Sequence, residues 1–372
     1  MQQISFGKTG MMVSPIGMGG MRFDTSLPDE QNRDLVLYAH QHGVNFFDTA
    51  PGYCEDKSET IFGMALRQLP RSDYYISSKF GPGPEKNAED AYASIARSVE
   101  RLGTELDIIN AWCLITEEDY YNTMRPNGAM EGFLRAKQEG LVKHIGFSTH
   151  MQKDIIAEYI EKGDFESVIL GLNATNYFLR EAGAKAAKQM HMGVVAMNPL
   201  GGGLIPRNRE GLSYLGEEGE DIIHAALRFM VQYPYVDVSL VGFSNTKEVD
   251  EAVAAANDTT PYNPERAKII AAHTGEFMNS VCTDCGYCKD CPQEIRIKEY
   301  LTVYNDKHAF NAPDAQLVEF LDFRKTRMKP TEATAADCIE CGQCEAACTQ
   351  QLPIIERLRY MAEIERQQMA RK

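Results

Sequence analysis

The sequence predicts an α/β chain: a parallel (β/α)8 barrel of the TIM type, followed by a smaller cysteine-rich domain. From residue 13 to about 256, eight short β-branched or apolar runs alternate with longer stretches of helical period, the pattern of parallel βαβ units. Eight such units in roughly 250 residues have the size of a barrel. Eight of the ten cysteines crowd into the last 91 of the 372 residues, which marks a second domain with its own purpose.

In chain order the strand candidates are Val13–Gly17, Val44–Asp48, Tyr74–Ser77, Asp107–Leu114, His144–Phe147, Ser167–Leu172, Gly193–Met197 and Val236–Val241. Each leads into a helical stretch, such as Asp90–Leu102 or Lys247–Asn257. Ahead of them, QQISFGKTG with its KTG turn is placed as a hairpin over the barrel floor. An open doubly wound sheet is the weaker alternative, because no GxGxxG opens a helix after the first strand, and GMGGMRF at 17–23 lacks that spacing. Residues 1–262 are assigned to the barrel and 263–372 to a connecting helix, Pro264 to about Met278, and the cysteine domain.

With 44% apolar residues the chain can bury a full core. Mean hydropathy is −0.35, and no run approaches the roughly 20 apolar residues of a membrane span. The opening MQQISFGKTG lacks the basic and apolar blocks of a secretory signal, so the expected location is cytoplasmic, with no membrane partner. Against 38 basic side chains stand 53 acidic ones, a net charge of −15 that repels phosphate backbones and excludes nucleic acid as a partner.

Barrel chemistry sits where strands end at the C-terminal face. There the second strand runs into FDTAPGY, carrying Asp48 and Tyr53, and the third ends in ISSKF, carrying Lys79. Singly, each has an ordinary structural use. Together they have a chemical logic: a lysine beside a tyrosine lowers the phenol's pKa, and an aspartate holds the ammonium, so the phenol can exchange a proton near neutral pH.

At these residues the sequence resembles the aldo-keto reductases, through GKTGMMVSPIGMGGMRF, GVNFFDTAPGYCEDKSETIFGMAL, ISSKF, KQEGLVKHIGFSTH and NPLGGG, over residues 2 to about 256. The resemblance implies an NAD(P)(H)-dependent oxidoreductase that reduces a carbonyl or conjugated small molecule by hydride transfer. Tyr53 would be the general acid/base, Lys79 its partner and Asp48 the carboxylate that orients Lys79. Cofactor-binding positions carried over are Gly20, Met21 and Asp48 at the first strand ends; Ser148 and Thr149 for the carboxamide; Met197, where an aromatic usually stacks; Asn198, Leu200 and Gly202 in a glycine-rich loop; and Gly242, Phe243, Asn245 and Glu248 in the clamping segment. Gly242 and Glu248 stand where NADP-preferring members carry a basic pair. NAD(H) is therefore favoured over NADP(H), with Lys247 the one nearby cation.

One departure concerns the substrate. The histidine that usually ends the fourth strand aligns with Ile115, leaving Trp112, Cys113 and His150 as the neighbouring side chains. Self-polarising substrates, such as enones or keto sugars, are thereby favoured over plain ketones.

The cysteines fall into CTDCGYCKDCP, with Cys282, Cys285, Cys288 and Cys291, and CIECGQCEAAC, with Cys338, Cys341, Cys344 and Cys348. In a reducing compartment such runs read as metal ligands. Zinc could take either run, but a triple C-x2-C-x2-C with a fourth cysteine beyond is the two-cluster ferredoxin pattern, which favours two [4Fe-4S] clusters. In that pattern the fourth cysteine serves the other cluster, so the expected sets are Cys282, Cys285, Cys288 and Cys348, and Cys338, Cys341, Cys344 and Cys291. The resemblance extends here, to a prokaryotic branch of the family with such a C-terminal domain.

The 46 residues between Cys291 and Cys338 include Ile295–Asn305 and Ala315–Lys325 at helical period, which fits a helical ferredoxin-like fold. The tail Ile354–Arg371, with a stripe of Ile355, Leu358, Met361 and Ile364, reads as one more helix. The clusters leave room for a redox partner protein. The missing fourth-strand histidine and stacking aromatic also admit a second class of function, an electron-relay or redox-sensing module whose barrel holds nucleotide without turnover.

Overall fold

In the computed structural model the described residues are 1–150, 155–275, 278, 280–310, 312–323 and 332–369. Eight parallel strands close a barrel: β1 (Ile16–Gly19), β2 (Phe46–Asp48), β3 (Tyr75–Phe80), β4 (Leu106–Ala111), β5 (Val142–Thr149), β6 (Ser167–Gly171), β7 (Gly193–Met197) and β8 (Val238–Val241). Each pairs with its neighbour in sequence, and β8 returns to β1 with Leu240 opposite Gly17. The alternation of the sequence thus resolves as a closed barrel, not an open sheet.

The first strand starts later than its β-branched run suggests. Val13 pairs with Ile4 in an antiparallel hairpin instead. Pro15 has no N–H to give a ladder, and the Ser14 N–H is taken by Asn45 Oδ1 at 2.7 Å, so the barrel strand begins at Ile16. The hairpin covers the floor: Phe6, fully buried, packs with Phe46, Ile108, Ile169, Val195 and Val238. Gly193 makes room for it, since a Cβ there would lie 2.2 Å from the Phe6 ring.

Helix ends follow local chemistry. Asn87 accepts from the N–H groups of Glu89 and Asp90 to start Ala88–Leu102, and Gly103 ends it at φ 75°. Asn245 starts Thr246–Asn257 by accepting from Glu248 N–H. Among the described residues no helix is long and apolar enough to cross a membrane.

The chain divides into two compact units: residues 1–200 with 216–267, and residues 201–215 with those from Lys268 onward. The second unit is helical. It contains Pro264–Thr274 from Lys268 on, then Ile297–Phe310, Asp314–Phe323 and Ile354–Met369. Residues 276, 277, 324, 325, 370 and 371, which fall within the expected helices, lie outside the described residues. The unit's core joins Tyr300, Leu301, Val303, Leu317, Leu358, Met361 and Ile364. Tyr300 Oη accepts from Ala335 N–H at 2.9 Å and donates to Glu365 at 2.9 Å, so this fully buried ring keeps its hydroxyl paired. In the tail helix Ile354 takes the fully buried place expected of Ile355, which faces a cavity described below.

Candidate active site and cysteine cavities

β2 ends at Asp48, and β3 runs past Ser77 to Phe80, which puts Lys79 inside the strand. Period-two alternation sends Ser77 and Lys79 to one face and Ser78 to the other. Asp48 and Lys79 are 2% and 3% exposed. Lys79 Nζ donates to Asp48 Oδ1 and, at 2.9 Å, to Thr49 O, while Ser77 Oγ donates to Asp48 Oδ2 at 2.5 Å. A buried ammonium is tolerated only when paired and hydrogen-bonded, and both conditions hold. The turn after β2 brings the Tyr53 ring to this cation, with Nζ 5.0 Å from the ring centroid. Trp112 meets the same ring edge-on, at 5.6 Å between centroids. The fold therefore brings Asp48, Tyr53 and Lys79 together.

Ile115 offers no side-chain hydrogen bond; its N–H goes to Asp119 Oδ2 at 3.0 Å. His150 is buried. Burial pushes its imidazole down to about 3, and the nearby Arg180 charge adds to the effect, so it is neutral at physiological pH. It flanks Gly171 together with Met197: a Cβ on Gly171 would lie 3.2 Å from His150 Nδ1 and 3.8 Å from Met197 Cε.

The residues expected at the nucleotide have distinct surroundings. Ser148 Oγ is buried without a hydrogen-bond partner among the described residues, next to the buried Thr149. Such an orphan hydroxyl costs about 1–3 kcal/mol, and a carboxamide would satisfy it. Gly20 donates its N–H to Asp48 O at 2.8 Å, and a Cβ on it would strike Ser58 Oγ at 2.2 Å, so packing alone requires this glycine. Met21 is 40% exposed. Asn198 has a left-handed backbone with φ 58°, and Leu200 is half-buried. Gly202 belongs to the second unit, where a Cβ would lie 2.2 Å from Thr283 O, so its missing side chain serves that contact.

Phe243 is fully buried, and Glu248 turns back to accept from Ser244 N–H at 2.7 Å, closing the helix start that Asn245 caps. At Gly242 the sequence reading needs correction. Lys247 is not the one nearby cation, because Arg22 lies across Gly242, its Cγ 2.5 Å from where a Cβ would be. Some 220 residues separate the two, and only the β8–β1 closure joins them; no local signal could have shown it.

In the second unit, one cavity is lined by Cys282, Cys285, Cys288 and Cys348 together with Leu301, Leu352 and Ile354. Another is lined by Cys291, Cys338, Cys341 and Cys344, with Ile355 and Leu358; Cys288 also reaches it. Among the described residues no group of His, Cys, Asp or Glu converges as a single metal ion would need; the thiols surround cavities instead. Burial, reinforced by the neighbouring thiols, pushes Cys288 up to about 12, and burial pushes Cys344 up to about 11. A bound cationic cluster is what would hold them as thiolates.

The chain thus joins a closed barrel holding a buried Lys–Asp pair against a tyrosine to a unit with two thiol-lined cavities. The chain belongs to the aldo/keto reductase family, whose profile matches residues 15–274, and a 4Fe-4S dicluster domain follows at 281–353. It is similar to L-galactose dehydrogenase of Arabidopsis thaliana, 26% identical over 282 residues, 68% of this chain and 88% of that one. It is also similar to the NADH-specific methylglyoxal reductase of Escherichia coli K12, 28% identical over 193 residues, 45% of this chain and 58% of that one. Among solved structures, the holo form of an aldo-keto reductase from Bacillus halodurans shares the fold, with a TM-score of 0.62 at 21% identity, covering 73% of this chain and 96% of that one. The family and the fold class expected from the sequence both hold.

Proposed function

We propose that the chain is an NAD(P)(H)-dependent reductase of a carbonyl or conjugated small molecule, with Tyr53 as proton donor, linked to iron–sulfur electron transfer. The carrying observation is the buried Asp48–Lys79 pair held against the Tyr53 ring. A nicotinamide, when bound, would supply the hydride. Tyr53 Oη gives its proton to the substrate oxygen, Lys79 stabilises the phenolate left behind, and Asp48 keeps Lys79 in place. Ser148 and Thr149 would hold the carboxamide, and Met197 would offer a soft platform beside it. The four thiols around each cavity would ligate the clusters, which supply one-electron chemistry and leave room for a redox partner protein.

NADH is favoured over NADPH because Glu248, hydrogen-bonded to Ser244, keeps a negative charge in the clamping segment. The likeness to an NADH-specific reductase supports the same choice. The dense free thiols suit a reducing cytoplasm. β4 ends at Ala111, four residues before Ile115, and Trp112 is the residue that meets the Tyr53 ring; with no histidine in this stretch, substrates that polarise themselves are favoured.

The test is Tyr53→Phe, assayed by NADH and NADPH oxidation over aldehydes, ketones, enones and aldoses. Turnover should vanish while nucleotide binding persists. Undiminished turnover would overturn the reading, and a wild-type protein that binds nucleotide but reduces nothing would be a relay or sensor.

A further inference from the structure

Tyr53 heads a turn that its own sequence does not favour. The next three residues, Cys54, Glu55 and Asp56, have φ of 51°, 59° and 67°. Residues with side chains adopt that left-handed conformation in series only where the surroundings impose it.

Asp56 shows what imposes it. Its carboxylate accepts from Gly52 N–H at 2.8 Å and from both Nη atoms of Arg101, each at 2.8 Å. The same guanidinium donates to Glu59 Oε2 at 3.2 Å, and Glu59 Oε1 accepts from Ser78 Oγ at 2.7 Å. Glu59 is 1% exposed, so both its oxygens are paired away from water. Arg101, on Ala88–Leu102, can come this close because Gly63 lets that helix touch its own, Ser58–Leu66: a Cβ there would lie 2.3 Å from Arg101 O.

The polar chain Ser78–Glu59–Arg101–Asp56–Gly52 thus grips the turn on both sides of Tyr53. Its far end is fastened to the β3 residue next to Lys79. Ser77 and Lys79 serve the inner face of that strand, and Ser78 serves the outer one. One strand therefore carries the cation, and through its other face it carries the brace that places the phenol.

We infer that Glu59 and Arg101 are positioning residues for the proton transfer: they set the separation of Tyr53 from Lys79 and, through it, the acidity of the phenol. The inference rests on Tyr53 being the proton donor. It also explains why an arginine with a planar two-pronged head stands at 101, since a lysine could not grip Asp56 through both oxygens and reach Glu59 as well.

The experiment uses the full chain with its clusters and no substrate. Ultraviolet difference titration, read as parent minus the matching Tyr53→Phe protein, reports the Tyr53 phenol. In the wild type it should ionise below the ordinary value of about 10. Arg101→Met and Glu59→Gln should each move it up by about one unit, and Arg101→Lys should recover only part of the shift. NADH affinity, measured by fluorescence, should change by less than about twofold in each. Should Arg101→Met fold poorly, Asp56→Asn, at a half-exposed position, carries the same comparison. A drop in thermal midpoint with the phenol unmoved would overturn the inference and leave the chain a structural brace. If the wild-type phenol titrates at its ordinary value and Tyr53→Phe still turns over, the reading of Tyr53 itself fails. If the wild-type phenol titrates low and no variant shifts it, only the positioning role fails.

Discussion

The Lys79 ammonium is held between two groups of opposite character, the Asp48 carboxylate that accepts its hydrogen bond and the face of the Tyr53 ring 5.0 Å away. Both charged partners are almost fully buried. Removing either one strands the other in a low-dielectric site, which typically costs about 3–5 kcal/mol, whereas replacing both by uncharged groups of similar volume is often close to neutral.

Stability and activity should therefore part company at this pair. Asp48→Asn and Lys79→Met should each lose about 3–5 kcal/mol in urea unfolding, and the double variant should recover most of it. Activity should fall by about 10²–10⁴ in all three, the range of a lost general acid. Recovery of turnover in the double variant would show that the pair serves folding alone.

Anaerobically purified protein should carry about eight irons and eight sulfides, as two [4Fe-4S] centres require. Cys348 lines the cavity of Cys282, Cys285 and Cys288, not that of its sequence neighbours Cys341 and Cys344. Cys348→Ser should perturb only the centre held by that first run. Paired variants in which Cys348→Ser and Cys285→Ser alter the same electron paramagnetic resonance signal would agree; alteration of the signal lost in Cys341→Ser would not.

Cofactor choice can be measured at two positions, Glu248 on Ser244 and Arg22 across Gly242. Glu248→Arg should shift the NADPH-to-NADH preference by about tenfold or more, one charge-assisted contact of about 1.5–3 kcal/mol. It should also lower stability by about 0.5–2 kcal/mol, because the carboxylate on Ser244 helps close the helix start. Arg22→Ala, reaching the same place from the first strand, should weaken NADPH more than NADH. Unchanged ratios in both variants would remove this segment from nucleotide selection.

His150 should write itself into the acid stability of the protein. Its folded value, about 3, lies below the ordinary value of 6.5, so the unfolded chain takes up this proton first. The stabilisation is complete above about 6.5 and declines as pH falls toward 3, at up to about 1.4 kcal/mol per pH unit. In His150→Gln the slope of unfolding free energy between pH 6 and 4 should flatten by that amount, measured as urea midpoints at about half-unit steps of pH. An unchanged slope would show that the imidazole is open to water.

The barrel, the grouping of Asp48, Tyr53 and Lys79 and the two cysteine runs could be read from the linear chain because their signals are local. A strand of β-branched residues, a polar residue directly after it and thiols with two residues between them need no knowledge of what lies opposite. Asp48, Tyr53 and Lys79 could be named because each lies in the last two residues of a strand or in the loop after it, and parallel strands of a barrel end on one face. Val13 shows the limit of such reading, since Pro15 and a distant Asn45 decided which pairing it joined. Arg22 across Gly242, the grip of Arg101 on Asp56 and Glu59 and the carbonyl of Thr283 against Gly202 were decided only by tertiary structure. These contacts join residues that lie on different elements, and most of them are far apart in sequence. No periodicity encodes such a contact, because it exists only once barrel closure and helix packing have brought the elements together.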